Sequence, residues 1–158
     1  MMTKKIVAVD PDVTKSGVAV IDVEGRTVET DAMAFPDLIE FLYGMPDKES
    51  ALIAVEAGWM NKPNWHSAPS IAAAANVGNR IGRNHETGRK IVEMCEHKGL
   101  RVSLVRPLEK RWKGSGGKIT HLELESVLND LKIALNKKRT NQDERDSILI
   151  AIYEYKKL

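Results

Sequence analysis

Two stretches of the chain, Ile6-Val7-Ala8-Val9 and Ala51-Leu52-Ile53-Ala54-Val55, contain no polar residue at all. Runs this short and this rich in branched side chains read as strands covered on both faces. Covering both faces takes a layer of helices on each side, which commits the chain to an α/β architecture. Each run also closes on a single acid, Asp10 and Glu56. If the two strands are parallel neighbours, those carboxylates emerge side by side at one end of the sheet.

The intervening sequence supports that arrangement. Residues 11–17 supply turn chemistry, residues 17–23 alternate small and branched side chains as a second strand, and Glu24-Gly25 leads tightly into a third strand over about 26–34. An antiparallel meander results. Residues 36–43 read as a short helix with proline in its first turn, a crossover that brings residues 51–55 in parallel to the first strand. One long helix follows over 70–97, then a fifth strand over 102–106 stopped by Pro107, and a basic loop over 108–117 with a mobile glycine run. Thr120 with Glu123 forms a capping box for a helix to about Leu135, and Thr140 or Asn141 caps a last helix through Tyr155. The expectation is a five-stranded mixed sheet flanked by helices, with residues 1–158 in one domain.

Within the long helix, Ala74, Gly78 and Gly82 stand four apart and strip side chains from one stripe. Each glycine costs about 1 kcal/mol of helix propensity relative to alanine, so a close backbone approach has to offset it. Two offsets stay open: packing on the chain's own sheet, or a second copy of the same helix across a two-fold axis.

A chain of 158 residues can bury a core without disulfides. Its one cysteine, Cys95, has no partner and no zinc-type spacing, so a packed thiol in a reducing compartment is expected. No apolar stretch approaches the ~20 residues of a membrane span, and the N-terminus reads into a strand without a signal peptide. The cytoplasm is therefore the expected location. Net charge is only +2, from 24 basic and 22 acidic residues, but the bases are unevenly spread. Arg80, Arg83, Arg89 and Lys90 fall in one segment, and Lys110, Arg111, Lys113 and Lys118 in another. A phosphate-binding surface and an ordinary solvated charge mix both fit that spread.

Asp143 and Asp146 sit three apart on the last helix, about 300° around and ~4.5 Å along its axis, so they share a face. The helix dipole alone explains acids at Asp143 and Glu144. It explains Asp146 less well, because that residue lies on the stripe of Ile150 and Tyr153. Asp10 could cap the turn at Asp12, Val13 or Thr14. Glu56 has no turn to cap so plainly, and buried without a partner it would be costly. Carboxylates gathered in one place repel one another unless cations fill the cluster, and oxygen donors of this kind suit Mg²⁺ or Mn²⁺. Asp10, Glu56, Asp143 and Asp146 are thus candidate metal ligands and catalytic residues for phosphoryl transfer, in which two ions activate water and steady the leaving oxygen. His66, His85, His97 and His121 stand at no ligand spacing; His85, in the basic helix, is the one worth following.

Taken in order, these motifs resemble the RuvC-type Holliday junction resolvases. Asp10-Pro11-Asp12-Val13-Thr14-Lys15-Ser16-Gly17 is similar to the family's first-strand motif, Glu56 to the acid closing its fourth strand, and the Ala/Gly helix with Gly78 and Gly82 to its dimer helix. Asp143-Glu144-Arg145-Asp146 followed by Ser147-Ile148-Leu149-Ile150-Ala151 resembles its C-terminal acidic helix. The resemblance implies a ribonuclease H-like fold, a homodimer through the 70–97 helix with two active sites, and paired nicking of four-way DNA junctions to ligatable ends. It implies two Mg²⁺ ions per site, with Mn²⁺ as the alternative, held by Asp10, Glu56, Asp143 and Asp146. Trp59 matches an aromatic that stacks on the opened junction, and Lys118 a basic residue near the scissile phosphate. With Arg80, Arg83 and Lys113 they make up the expected DNA-binding set. Trp59 or Trp65 as loop anchors, and Lys118 as a residue that merely precedes a helix, stay open.

The pattern departs from the family at Asp12, where glycine is usual, over residues 61–70 and over residues 79–88. That leaves room for a phage or mobile-element variant with a different junction or sequence preference. A branch-migration helicase is a further partner the resemblance allows and the sequence does not specify. Two rivals remain: a nucleotide-binding module of the actin and sugar-kinase type, disfavoured because that clamp needs two such domains, and a noncatalytic branched-DNA-binding protein of the same fold.

Overall fold

A computed structural model of the chain describes residues 2–61 and 70–158. Six strands of the described residues form one sheet: β1 (Lys5–Asp10), β2 (Ser16–Asp22), β3 (Thr27–Met33), β4 (Ala51–Glu56), β5 (Arg101–Val105) and β6 (Ala134–Leu135), in the order β5-β4-β1-β2-β3-β6. β1, β2 and β3 are the antiparallel meander, and β4 runs parallel to both β1 and β5. Among the described residues four α-helices flank the sheet: α1 (Phe35–Tyr43), α2 (Ile71–His97), α3 (His121–Leu131) and α4 (Gln142–Tyr155).

The apolar runs do what their composition demands. Successive side chains of a strand face opposite ways, so Val7 and Val9 meet Leu38 and Leu42 of α1 with Ile91 and Cys95 of α2. Ile6 and Ala8 meet Leu124 and Leu128 of α3 with Ile148, Ala151 and Ile152 of α4. Both cores are closed, with Ile6, Val7, Ala8 and Val9 all at 0% exposure. Cys95 is the packed thiol expected, its pKa pushed up to about 11 by burial.

The sheet has a sixth strand where five were expected, and the reason lies at the end of α3. The helix stops at Leu131 rather than near Leu135, because Lys132 turns into the left-handed region at φ 58. That turn drops Ile133 into the core at 3% exposure, and Ala134–Leu135 then pairs in parallel with Thr27 and Val28. Thr120 with Glu123 forms the capping box expected and Asn141 is the cap of α4, closing a second box with Glu144, while Ser70, expected inside the long helix, caps it instead by accepting from Ala73 N. Among the described residues no helix is long and apolar enough to cross a membrane.

Candidate functional site

β1 and β4 pair with Val9 opposite Val55, so the next residue of each, Asp10 and Glu56, stands at the same sheet end on strands roughly 5 Å apart. Parity then fixes the face. Asp10 follows Ile6 and Ala8, and Glu56 follows Ala54, so both carboxylates project towards the layer that holds α4. Opposite Asp10 in the register lies Gly17, and a Cβ built there would come 3.1 Å from the Asp143 carbonyl oxygen and 3.6 Å from Ser147 Cβ. The first turn of α4 therefore rests directly on β2 beside Asp10, which is how the Asp143 and Asp146 segment reaches the strand-end acids. In the sequence Gly17 is a turn and motif residue; what the register adds is that it faces Asp10 across the β1–β2 pair.

Burial pushes the Asp10 carboxyl up to about 8, with repulsion from Glu56, Asp146, Asp143 and Asp12 adding to it in that order. Glu56 is raised by burial and by Asp146, against the pull of Lys110 and Lys118. These shifts record Glu56, Asp146 and Asp143 within electrostatic reach of Asp10. The alternative in which Asp10 caps its own turn does not match the hydrogen bonds: Asp12 N donates to Ser16 Oγ (3.1 Å), Val13 N to Asn84 Oδ1 (2.8 Å) and Thr14 N to Asp12 Oδ1 (2.8 Å). All three amides are taken. The unusual Asp12 thus folds back on its own turn.

Asp146 has internal partners, accepting from Gln142 Nε2 at 2.8 Å with Lys118 Nζ 3.9 Å away. Arg145 braces the same turn by donating to the carbonyls of Ile119 and Thr140. As the side chains stand, no three acidic, histidine or cysteine residues among the described ones already enclose a single ion. By its chemistry the set still fits a hard divalent cation: every donor is a carboxylate oxygen, and the mutual repulsion that raises Asp10 is what such a cation relieves.

Asp10 and Glu56 floor two adjoining clefts. One, of about 240 Å³, lies towards α4 and is lined also by Lys110, Lys118 and Asp146. The other, of about 170 Å³, lies towards α2 and is lined by Pro11, Trp59, Asn84 and His85. Lys110 reaches the site although only the basic run around it signalled as much. His85, with its pKa lowered by burial and by Arg89, packs on Gly58, where a Cβ would come 2.9 Å from Nε2.

The structure does not gather the remaining basic residues there. Arg80 and Arg83 are exposed and line neither cleft; Arg83 borders a groove with Val13 and Phe35 instead. Lys113 is exposed, its backbone N–H held by the Glu123 carboxylate at 3.1 Å. Trp59 packs as an anchor as well as lining a cleft: a Cβ on Gly88 would meet its ring at 2.6 Å, and Arg89 sits 5.6 Å from the ring centroid. Trp65 and His66 lie outside the described residues.

The expected mobile glycine run is instead a tightly wound turn. Trp112 N donates to Gly117 O and Gly114 N to Lys118 O, both at 2.9 Å. A Cβ on Gly114 would lie 2.3 Å from the Lys118 carbonyl oxygen, and one on Gly117, at φ +76, 2.3 Å from that of Lys110. Glycine is needed here for close backbone approach. The turn fixes where Lys110 and Lys118 leave the backbone.

No protein-family model matches the chain, and no curated protein matches it in sequence. Solved structures do. RuvC of Thermus thermophilus in complex with a Holliday junction substrate matches at TM-score 0.52 and 13% identity, over 96% of this chain and 91% of that one. Another structure of Thermus thermophilus RuvC matches at TM-score 0.49 and 14% identity, over 94% and 91%. The large terminase nuclease from the thermophilic phage G20c matches at TM-score 0.49 and 14% identity, over 96% and 82%. At such identities likeness speaks for architecture, and the chain has the ribonuclease H-like fold found in the RuvC resolvases.

Proposed function

We propose that this chain is a metal-dependent endonuclease that resolves four-way DNA junctions by paired phosphodiester hydrolysis. The observation that carries the proposal is the meeting of Asp10 and Glu56, on adjacent parallel strand ends, with the Asp146 turn of α4 in a cleft that Lys110 and Lys118 also line. Asp10, Glu56, Asp143 and Asp146 would hold Mg²⁺ or Mn²⁺. Bound there, a pair of divalent cations supplies a hydroxide nucleophile at neutral pH and charge stabilisation of the leaving oxygen.

The protein's own groups do the rest. Gly17 lets α4 approach closely enough for its acids to face the strand ends, and Gln142 and Arg145 hold that turn in register. Lys110 and Lys118 offset phosphate charge in the same cleft. The two clefts meeting over Asp10 and Glu56 give a backbone a path across the acids, with Trp59 and His85 along one half.

A homodimer through α2 supplies the second site that paired cutting needs. Ile71 (92% exposed), Val77 (48%) and Ile81 (43%) are apolar and exposed, and among the described residues a Cβ at Gly82 meets nothing within 4 Å. Packing on the chain's own sheet therefore does not account for that half of the helix, whereas a second copy would.

The test is cleavage of a labelled four-way junction beside linear duplex, flap and fork substrates, in Mg²⁺, Mn²⁺ and EDTA, with Asp10→Asn as the blank. Paired symmetric nicks on the junction alone, lost in the variant, are expected. Cutting spread over all branched substrates would keep the nuclease and remove the junction claim. Tight junction binding with no cutting in any metal would favour a noncatalytic branched-DNA-binding protein.

A further inference from the structure

A second groove of about 240 Å³ adjoins the carboxylate cleft and shares Leu108, Glu109, Trp112 and Leu149 with it. α4 contributes Ile152 and Tyr153 to it, and the residue that caps α4, Lys156, lines it too. Two aromatic rings thus border one mostly apolar trough. Tyr153 is 42% exposed although it sits on a helix whose neighbours Ile152 and Glu154 are buried at 3% and 4%. Cations accompany both rings: Arg111 lies 5.2 Å from the Trp112 centroid and Lys157 4.3 Å from that of Tyr153. With Lys156 at the rim, the one acid lining the groove, Glu109, is outnumbered.

We propose that this groove binds an unstacked nucleobase of the DNA strand whose phosphate lies in the carboxylate cleft, a reading that rests on the nuclease assignment above. An apolar trough edged by aromatic rings offers stacking to any base, and cations at its rim suit the flanking phosphates. Its continuity with the cleft matters most. A strand running past Lys110 and Lys118 reaches Trp112 without leaving the surface, so the base next along the chain has the trough in front of it. Lys157 is already paired with Glu154 at 3.4 Å, so Arg111 and Lys156, which line the groove itself, are the cations a flanking phosphate would meet. The groove is separate from the Trp59 side of the site, so it would hold the strand on the opposite flank of the acids.

The test uses the full chain with 2-aminopurine placed at successive positions along single strands and along one arm of a four-way junction, in Ca²⁺ and in Mg²⁺. The wild-type protein is expected to change the fluorescence at one position, a fixed distance from the cut. Tyr153→Ala and Lys156→Ala should remove or shrink that change and weaken binding ~5- to 100-fold, while Tyr153→Phe retains it. If both alanine variants keep the positional signal and the affinity while the protein still cleaves, the groove is not a base site and the nuclease reading stands. If DNA is bound with a Tyr153-dependent signal but never cut, the base site stands and the nuclease reading falls. An absence of any DNA binding by the wild-type chain would overturn both.

Discussion

At the scale of single residues, the chemistry turns on how unhappy Asp10 is without a cation. Its carboxyl keeps a proton up to about 8 in the folded chain, against 3.8 ordinarily. Between those values the folded state holds a proton that the unfolded state has released, so stability falls as pH rises through the window. Glu56, also raised, acts in the same direction. In EDTA the melting temperature should therefore decline from pH 4 towards pH 8, and Mg²⁺ at pH 8 should restore it. Asp10→Asn should flatten the profile; a wild-type profile already flat in EDTA would remove the electrostatic basis of the site. A second expectation concerns Asp146, which Gln142 and Lys118 hold in place. Asp146→Asn should abolish cleavage and leave junction binding largely intact, measured by gel shift beside a cleavage assay. Loss of binding with the fold retained would mean the acid serves DNA contact instead. Both acids could be singled out from the sequence, Asp10 because it closes an apolar run and Asp146 because it lies on the stripe of Ile150 and Tyr153. Gln142 and Lys110 could not, because a polar residue at a helix start or in a basic loop has too many ordinary explanations.

At the scale of elements, two glycines decide how the pieces approach. Gly17→Ala puts a Cβ 3.1 Å from the Asp143 carbonyl, so α4 must give by a few tenths of an ångström. A cost of ~1–3 kcal/mol in urea denaturation is expected, together with weaker Mg²⁺ protection, because the acidic turn moves with the helix. Unchanged metal response in a destabilised variant would separate packing from the site. Gly117→Ala meets both a left-handed backbone and a carbonyl 2.3 Å away, a conflict expected to cost at least ~1–3 kcal/mol. Its DNA affinity should fall with it as Lys110 and Lys118 lose their setting, read by titration at temperatures where the variant is folded. Helix caps, the meander and the crossover were legible because each has a local signature. The sixth strand and the wound glycine turn were not: one depends on a left-handed lysine at the end of α3, the other on carbonyls from residues that only the folded loop brings close.

At the scale of the whole molecule, the uncovered half of α2 carries the next expectation. In an isolated chain Gly82→Ala should stabilise by about 1 kcal/mol, because helix propensity rises and the added Cβ touches nothing among the described residues. If two copies pack there, the same methyl group should instead weaken association, seen as a shift towards monomer in sedimentation and as a concentration-dependent melting temperature. The sign of one substitution thus distinguishes an open surface from an interface. By itself the sequence determined the class of fold, since two runs without a polar residue need cover on both faces, and it pointed to the acids at their ends. Only the tertiary structure decided that Asp10 and Glu56 share a cleft with Asp146 of α4, that Arg80 and Arg83 lie off the clefts, and that Trp112 and Tyr153 border one groove. Local patterning records what a residue needs buried or exposed. Which distant residues meet depends on strand register and on how closely a helix can settle, and those are fixed only when the whole sheet and both its layers pack together.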